Sequence, residues 1–151
     1  SQINIKDLVR QAVADAIPAE MDRDISVKLS AEGDDLAVSG DPVALREAVR
    51  NLVENAVHHG GKSAIDVSVT CNGQHIDIRV ADDGPGIPKS LWPEASKRFF
   101  RVSDDESGSG LGLAIASEVA KSHGASLDFG FEVNGFFCVT IKIPTVRSTT
   151  A

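Results

Sequence analysis

Apolar residues recur at helical spacing in three segments of this 151-residue chain and alternate with polar residues in six shorter ones. The helical spacing predicts helices over residues 5–16, 42 to about 58, and about 111 to 123. Asn4 and Asp41 are the expected N-caps of the first two helices, and Pro42 occupies the first position of the second. The three expected helix ends are marked by Pro18, Gly60 and Gly124.

The alternating segments predict strands over residues 25–30, 36–39, 64–71, 74–81, 127–133 and 136–143. Gly33-Asp34-Asp35 is a turn signal between the first two, and Asn-Gly at 72–73 and 134–135 joins the last four into two hairpins. Two hairpins imply a mostly antiparallel sheet, and helices with one apolar stripe each cover a single face of it. The predicted fold class is α+β, a two-layer sandwich of a mixed, mostly antiparallel sheet covered on one face by helices. We expect one domain over residues 1–145 and a flexible tail over 146–151.

The net charge, cysteine content and apolar runs of the chain limit the classes of partner and the cellular compartment that we expect for it. A net charge of −7 and a pI near 5.0 argue against nucleic acid, because phosphate backbones favour clustered Lys and Arg. Cys71 and Cys138 lack Cys-x-x-Cys spacing, so we expect free buried thiols, with one disulfide left open as the alternative. No apolar run approaches membrane-spanning length, which favours a cytoplasmic domain.

Polar residues on the second helix are the first candidates for chemistry. Asn51 and Asn55 lie one turn apart on a flank of the apolar stripe, and His58 and His59 continue that flank. Asn55 can offer a neutral oxygen to Mg²⁺ that also bridges nucleotide phosphates. The alternative is that both amides are solvated or bond to neighbouring backbone.

Two glycine-rich turns supply the other candidates. In Asp82-Asp83-Gly84-Pro85-Gly86 a carboxylate ends a strand and can accept a hydrogen bond from the exocyclic amine of adenine. Gly108, Gly110 and Gly112 lead into a helix, so their amides can cradle phosphates. An ordinary polar turn and a flexible loop are the respective alternatives. Lys does not follow Gly112, and neither turn has the Gly-x-Gly-x-x-Gly form, which excludes P-loop and Rossmann sites.

In this order the motifs resemble the catalytic and ATP-binding domain of bacterial sensor histidine kinases, in the gyrase, chaperone, histidine kinase and mismatch-repair ATPase superfamily. Residues 51–59 resemble the N box, 82–86 the G1 box, 99–101 the F box and 108–112 the G2 box. The resemblance implies that Asn55 binds Mg²⁺, that Asn51 and His59 lie near the phosphates, and that Asp82 holds the adenine amine. It implies a lid over residues 89–109. The remaining residues it places at the nucleotide are Gly84, Gly86, Ile87, Arg98 or Arg101, Gly108, Gly110, Leu111, Gly112 and Leu113.

One residue of this chain differs from the pattern of the ATP-hydrolysing members of the superfamily, and the difference bears on the expected reaction. ATP-hydrolysing members of the superfamily place a Glu about one turn before the metal-binding Asn, and here that position is Asn51, which cannot act as a base. Glu54 beside Asn55 is the remaining candidate base, with a solvated helix face as an equal alternative. We expect slow hydrolysis and transfer of the γ-phosphoryl group to a supplied nucleophile.

A second difference from sensor histidine kinases concerns the helix that carries the phosphoacceptor histidine. No phosphoacceptor-like helix precedes Asn4, so the resemblance implies a protein-histidine kinase catalytic domain that cannot autophosphorylate without its upstream dimerisation and acceptor helices. The implied full protein is a homodimer with a sensor domain, anchored in the bacterial inner membrane and paired with a response regulator; the fragment itself is expected to be monomeric. The alternatives are an anti-sigma-factor-type serine kinase and a non-catalytic nucleotide-binding module.

Overall fold

A computed structural model describes residues 2–17, 24–29, 37–60, 64–71, 75–95 and 112–144. In chain order the helices and strands are β1 (Gln2–Asn4), α1 (Ile5–Ala16), β2 (Asp24–Leu29), β3 (Ala37–Ser39), α2 (Pro42–Asn55), β4 (Ala64–Cys71), β5 (His75–Asp82), α3 (Trp92–Ala95), α4 (Gly112–Ser122), β6 (Ser126–Phe131) and β7 (Phe137–Pro144). A single π-helical turn (Ala56–Gly60) directly follows α2, and a 3-10 turn (Lys89–Leu91) directly precedes α3.

Among the described strands, five form one mixed sheet in the order β2-β4-β5-β7-β6. The edge strand β2 runs parallel to β4, and every other neighbouring pair is antiparallel. The pairs β4–β5 and β6–β7 are the two predicted hairpins, and Gly135 in the second connection has φ +90° as an Asn-Gly turn requires. The predicted α+β fold class is confirmed.

The two short strands predicted on either side of Gly33-Asp34-Asp35 belong to different sheets. β2 joins the edge of the main sheet, whereas β3 pairs with β1 in a separate two-stranded ribbon where Ile3 lies opposite Val38. β1 was not predicted, because three residues carry too little periodicity to be recognised. The turn signals at 33–35 and 72–73 lie outside the described residues.

Both predicted N-caps are present. The Asn4 side chain accepts a hydrogen bond from the Asp7 N–H at 3.2 Å, and Asp41 accepts from Val43 at 3.0 Å and Ala44 at 3.2 Å. The end of α2 differs from the prediction, because regular α-helix stops at Asn55 rather than near His58 and the chain continues as the π turn. The last helix ends as expected before Gly124, whose φ is +65°.

The core lies between one face of the sheet and the helices. Alternate residues of β4, β5 and β7 point into it, and α2 packs against both α1 and α4. Burying each large aliphatic side chain contributes about 1.5–3 kcal/mol. Side chains with less than 2% exposure include Ile5, Leu45, Leu52, Ile65, Ile76, Ile78, Ile141 and Ile143.

Both cysteines are free, as predicted, but each is half-buried rather than fully buried. Cys71 packs against the core, whereas Cys138 alternates with the buried residues of β7 and therefore lies on the opposite face of the sheet. In the described part of the chain, no helix combines the length and apolar character needed to cross a membrane.

Candidate functional site

Asp82 is the last residue of β5, the central strand of the sheet. The residue is only 4% exposed, and its Oδ1 accepts a hydrogen bond from the Gly84 N–H at 2.9 Å. Asp82 pairs with Ile65 on one side and with Phe137 on the other. Because both neighbouring strands and the following turn restrain it, this carboxylate has a defined position, as an acceptor for one ligand group requires.

The turn after Asp82 can accommodate only glycine at one position. Gly86 has φ +69°, and a Cβ atom there would lie 2.5 Å from Cγ of Phe137. Both the backbone conformation and the adjacent ring therefore exclude a side chain. Ile87, the next residue, is 6% exposed and belongs to the core. The turn is thus anchored at Asp82 and at Ile87.

Trp92 provides a third restraint that was not predicted. Its indole Nε1–H donates a 2.9 Å hydrogen bond to the carbonyl of Ile87. Its ring lies 6.1 Å from the rings of both Phe129 and Phe131, which in turn contact Phe137. The chain has a single Trp, so the residue could have been noticed, but its partners on β6 and β7 are distant in sequence.

The second half of α2 carries the two candidate amides. Asn51 and Asn55 are both partly buried, and Asn51 Nδ2 donates a 2.9 Å hydrogen bond to the Glu47 carbonyl. The Asn51 amide therefore bonds to neighbouring backbone, which was the alternative given above to a role at the nucleotide. Asn55 is the last α-helical residue, and the π turn begins immediately after it. Single π turns within helices occur frequently at functional sites.

Glu54, the candidate base, is held by an ion pair. Arg50 Nη1 donates to Glu54 Oε1 at 2.6 Å, and the same guanidinium pairs with Glu47. The pKa of Arg50 is raised, chiefly by its hydrogen bond to Glu47 and further by the charge of Glu54. Arg50 was missed, although the Glu-x-x-Arg-x-x-x-Glu spacing places all three side chains on one helix face.

The start of α4 points toward the same end of α2. His123, just after α4, lies beside Asp41 at the N-terminus of α2, where its Nε2 accepts the Asp41 N–H at 3.0 Å. Because α2 and α4 also pack against each other, the two helices run antiparallel, and the start of α4 lies toward the C-terminal end of α2. A helix N-terminus favours anions. Leu113 is 8% exposed and contributes to the core.

The π turn also lies beside β5, the strand that ends at Asp82. The Asp83 N–H donates a 3.3 Å hydrogen bond to the carbonyl of Ala64, and Ala64 follows the π turn after three residues. β5 contacts both α2 and the π turn. The fold therefore brings the end of α2 and the end of β5, where the N and G1 boxes are predicted, to one end of the sheet, and α4 starts toward the same end.

Several predicted residues lie outside the described part of the chain: Arg98, Phe99, Phe100, Arg101, Gly108, Gly110 and Leu111. His59 belongs to the π turn. The described part of the predicted lid, residues 89–95, forms the 3-10 turn and α3, with Ala95 buried. In residues 2–17, 24–29, 37–60, 64–71, 75–95 and 112–144, no group of three or more His, Cys, Asp or Glu side chains could hold a metal ion.

The fold and the arrangement at this end of the sheet are those of the nucleotide-binding α+β sandwich class. A family model described as histidine kinase-, DNA gyrase B-, and HSP90-like ATPase matches residues 40–147. The chain therefore belongs to this family, which also supports ATP as its nucleotide.

Relatives are consistent with the histidine-kinase branch. Sensor protein QseC of Escherichia coli (strain K12) is 33% identical over 138 residues, which cover 91% of this chain and 30% of QseC. The sensor-type histidine kinase PrrB of Mycobacterium tuberculosis (strain H37Rv) is 32% identical over 143 residues, covering 94% of this chain and 31% of PrrB. The chain thus spans about 30% of the length of these curated relatives.

Solved structures agree. The ATP binding domain of PrrB from Mycobacterium tuberculosis superposes with a TM-score of 0.78 at 27% identity, covering 97% of this chain and 98% of that one. The mycobacterial sensor histidine kinase MprB gives a TM-score of 0.84, covering 95% of this chain and 97% of that one, at 24% identity. The predicted resemblance to sensor histidine kinase catalytic domains is confirmed.

Proposed function

We propose that this domain binds Mg²⁺-ATP between the second half of α2, the Asp82–Ile87 segment and the start of α4, and that its protein transfers the γ-phosphoryl group to a histidine of an acceptor domain. The observation that carries the proposal is the buried Asp82 carboxylate, held by the Gly84 amide in front of the Gly86 turn. A carboxylate accepts a hydrogen bond from the 6-amino group of adenine, and guanine has a carbonyl there. The site therefore selects ATP over GTP.

Phosphates and Mg²⁺ are assigned to the other end of the site. The N-terminus of α4 supplies a positive dipole end, and Asn55 supplies a neutral oxygen at the junction with the π turn. The described residues hold no acidic cage for a cation, so they fit an ion bound chiefly by phosphate oxygens and water, with Asn55 as its protein ligand. Bound there, Mg²⁺ would neutralise phosphate charge.

Phosphoryl transfer to histidine breaks the bond between the γ-phosphorus of ATP and the oxygen that bridges it to the β-phosphorus, forms a phosphorus–nitrogen bond, and releases ADP. Asn51, whose amide is bonded to the Glu47 carbonyl, supplies no base to activate water. Glu54 is the candidate acceptor for the imidazole proton, and in this state it is paired with Arg50. Catalysis then rests mainly on positioning and charge neutralisation, as in other phosphoryl transfers.

The partners of the whole protein belong to the same proposal. The names of the relatives identify sensor proteins, which supports an upstream sensor domain, dimerisation helices that carry the acceptor histidine, and a response regulator. We further infer a homodimeric full-length protein anchored in the bacterial inner membrane, with this domain on the cytoplasmic side.

Calorimetric titration tests nucleotide binding directly. The domain would be titrated with ADP, a non-hydrolysable ATP analogue and the matching GTP analogue, each with and without Mg²⁺. We expect micromolar-range, adenine-selective binding that Mg²⁺ strengthens for the triphosphate. Equal affinity for the adenine and guanine analogues would contradict the role of Asp82. Transfer is tested separately, by following radioactive γ-phosphate from ATP to an acceptor domain added in trans.

A further inference from the structure

Trp92 closes a chain of contacts that begins at Asp82. The Asp82 carboxylate is fixed by the Gly84 amide, the Gly86 backbone is pressed against Phe137, and the Ile87 carbonyl receives the indole N–H of Trp92. Each contact restrains a different point of one short turn. Displacement of the Ile87 carbonyl would move the turn and, through the Gly84 amide, the carboxylate.

The indole itself is well restrained. Phe129 and Phe131 lie on β6, and both rings contact Trp92 as well as Phe137 on β7. Two aromatic rings of β6, themselves packed on Phe137, therefore hold the indole that carries the Trp92 N–H. A donor whose side chain is held by packing keeps its hydrogen bond in a defined geometry.

We propose that Trp92 is a positioning residue for recognition of adenine, acting through the Ile87 carbonyl on the turn that orients Asp82. This inference rests on the proposed function and adds a determinant of base specificity that lies outside the family motifs. Trp92 acts on the base end of the nucleotide. Asn55 and the start of α4 serve the phosphate end, so the effect of Mg²⁺ on affinity is independent of Trp92.

The test removes the N–H and keeps the ring. Because the chain has one Trp, 3-benzothienylalanine incorporated in place of tryptophan changes Trp92 alone and exchanges the N–H for sulfur. Trp92→Phe is the second variant. Ser122→Ala is the control, since Ser122, the last residue of α4, donates a 2.8 Å hydrogen bond to the Val119 carbonyl and also lies 3.1 Å from His123 Nδ1, with no contact to the Asp82–Ile87 turn among these bonds.

Calorimetry on each folded variant would measure ADP, the ATP analogue and the GTP analogue, with and without Mg²⁺. Loss of one neutral hydrogen bond predicts about 2- to 12-fold weaker binding of both adenine nucleotides, a smaller ratio of ATP to GTP affinity, and an unchanged Mg²⁺ effect. Ser122→Ala is expected to match the parent. A smaller adenine preference distinguishes positioning from a general loss of stability, which would weaken all nucleotides equally.

Two results would overturn the inference. Parent-like adenine affinity and selectivity in the benzothienyl protein would show that the N–H does not position the turn, while the proposed function would stand. A parent domain that binds no adenine nucleotide would instead overturn the proposed function and this inference with it.

Discussion

The ring of His123 occupies the space above Gly40 and bonds to the residue that follows it. A Cβ atom on Gly40 would lie 2.3 Å from Cδ2 of His123, and Nε2 of the same ring accepts the Asp41 N–H at 3.0 Å. His123 Nδ1 lies 2.8 Å from the Val119 carbonyl, and both contacts are satisfied when the ring proton sits on Nδ1 and Nε2 accepts. This contact joins the end of α4 to the N-cap of α2.

Gly40 and His123 are therefore expected to be energetically coupled. Gly40→Ala should destabilise the fold by about 1–3 kcal/mol, because the methyl group displaces the ring. His123→Ala should cost about 1 kcal/mol through the lost hydrogen bond. The double variant should cost less than the sum, since the methyl group then enters the vacated space. Urea unfolding measures all three free energies; additive values would contradict direct contact.

Gly86→Ala should lower the free energy of unfolding more than an alanine substitution at a glycine whose only constraint is a positive φ. Gly135 also has a positive φ, +90°, but a Cβ atom there meets nothing within 4 Å. We expect about 1–2 kcal/mol for Gly135→Ala, and about 1–3 kcal/mol more for Gly86→Ala because of the clash with Phe137. Thermal and urea unfolding provide the comparison. Equal losses would show that the ring moves aside freely.

Asp82→Ala should weaken ATP binding by about 10- to 150-fold, the equivalent of one charge-assisted hydrogen bond of roughly 1.5–3 kcal/mol. Asp83→Ala is the neighbouring control, since Asp83 is linked to β4 by its backbone N–H, which the substitution keeps. Calorimetry with ATP analogue would be compared between the two. An Asp82→Ala domain with parent affinity would refute the adenine assignment.

Asn55→Ala should weaken triphosphate binding only when Mg²⁺ is present. Removing a metal ligand should cost at least as much as removing an outer-shell partner, which is about 10-fold or more. Asn51→Ala serves as the comparison one turn earlier, because the Asn51 amide already bonds to the Glu47 carbonyl. We expect a smaller, Mg²⁺-independent effect there. An Asn55→Ala loss that persists in EDTA would contradict metal binding by this side chain.

Cys138 should ionise at higher pH in the folded protein than in the unfolded chain. Burial raises its pKa above the ordinary 9.0, the Glu132 charge adds to this, and Arg79 opposes it. In a Cys71→Ala background, the pH midpoint of iodoacetamide alkylation should therefore lie higher for folded than for urea-unfolded protein.

The raised pKa of Cys138 also makes the stability of the fold depend on pH. Above pH 9.0 the unfolded thiol loses its proton while the folded one retains it, so stability present below that pH is lost as pH rises through the folded pKa. Urea unfolding of the Cys71→Ala protein between pH 8 and pH 10.5 should show this decline. Cys138→Ala should lessen it, and an equal decline in both proteins would assign it to other groups.

Sequence patterns predicted the elements whose signals are local. Asn4 and Asp41 cap helices through contacts two or three residues away, and alternation along β4, β5 and β7 matches their buried faces. The fold class followed from such signals, whereas the N and G1 boxes were assigned by their resemblance to the motifs of the family. These interactions depend on residues close in the chain, so composition and spacing suffice to indicate them.

Only the tertiary structure decided how these elements meet. It paired β1 with β3, placed β2 parallel to β4, ended α2 in a π turn and brought Trp92 to the Ile87 turn through rings on β6. The contact between His123 and Asp41 spans 82 residues. Such pairings depend on the shape and packing of segments that are distant in sequence, and a local sequence pattern does not specify which distant segment a residue will contact.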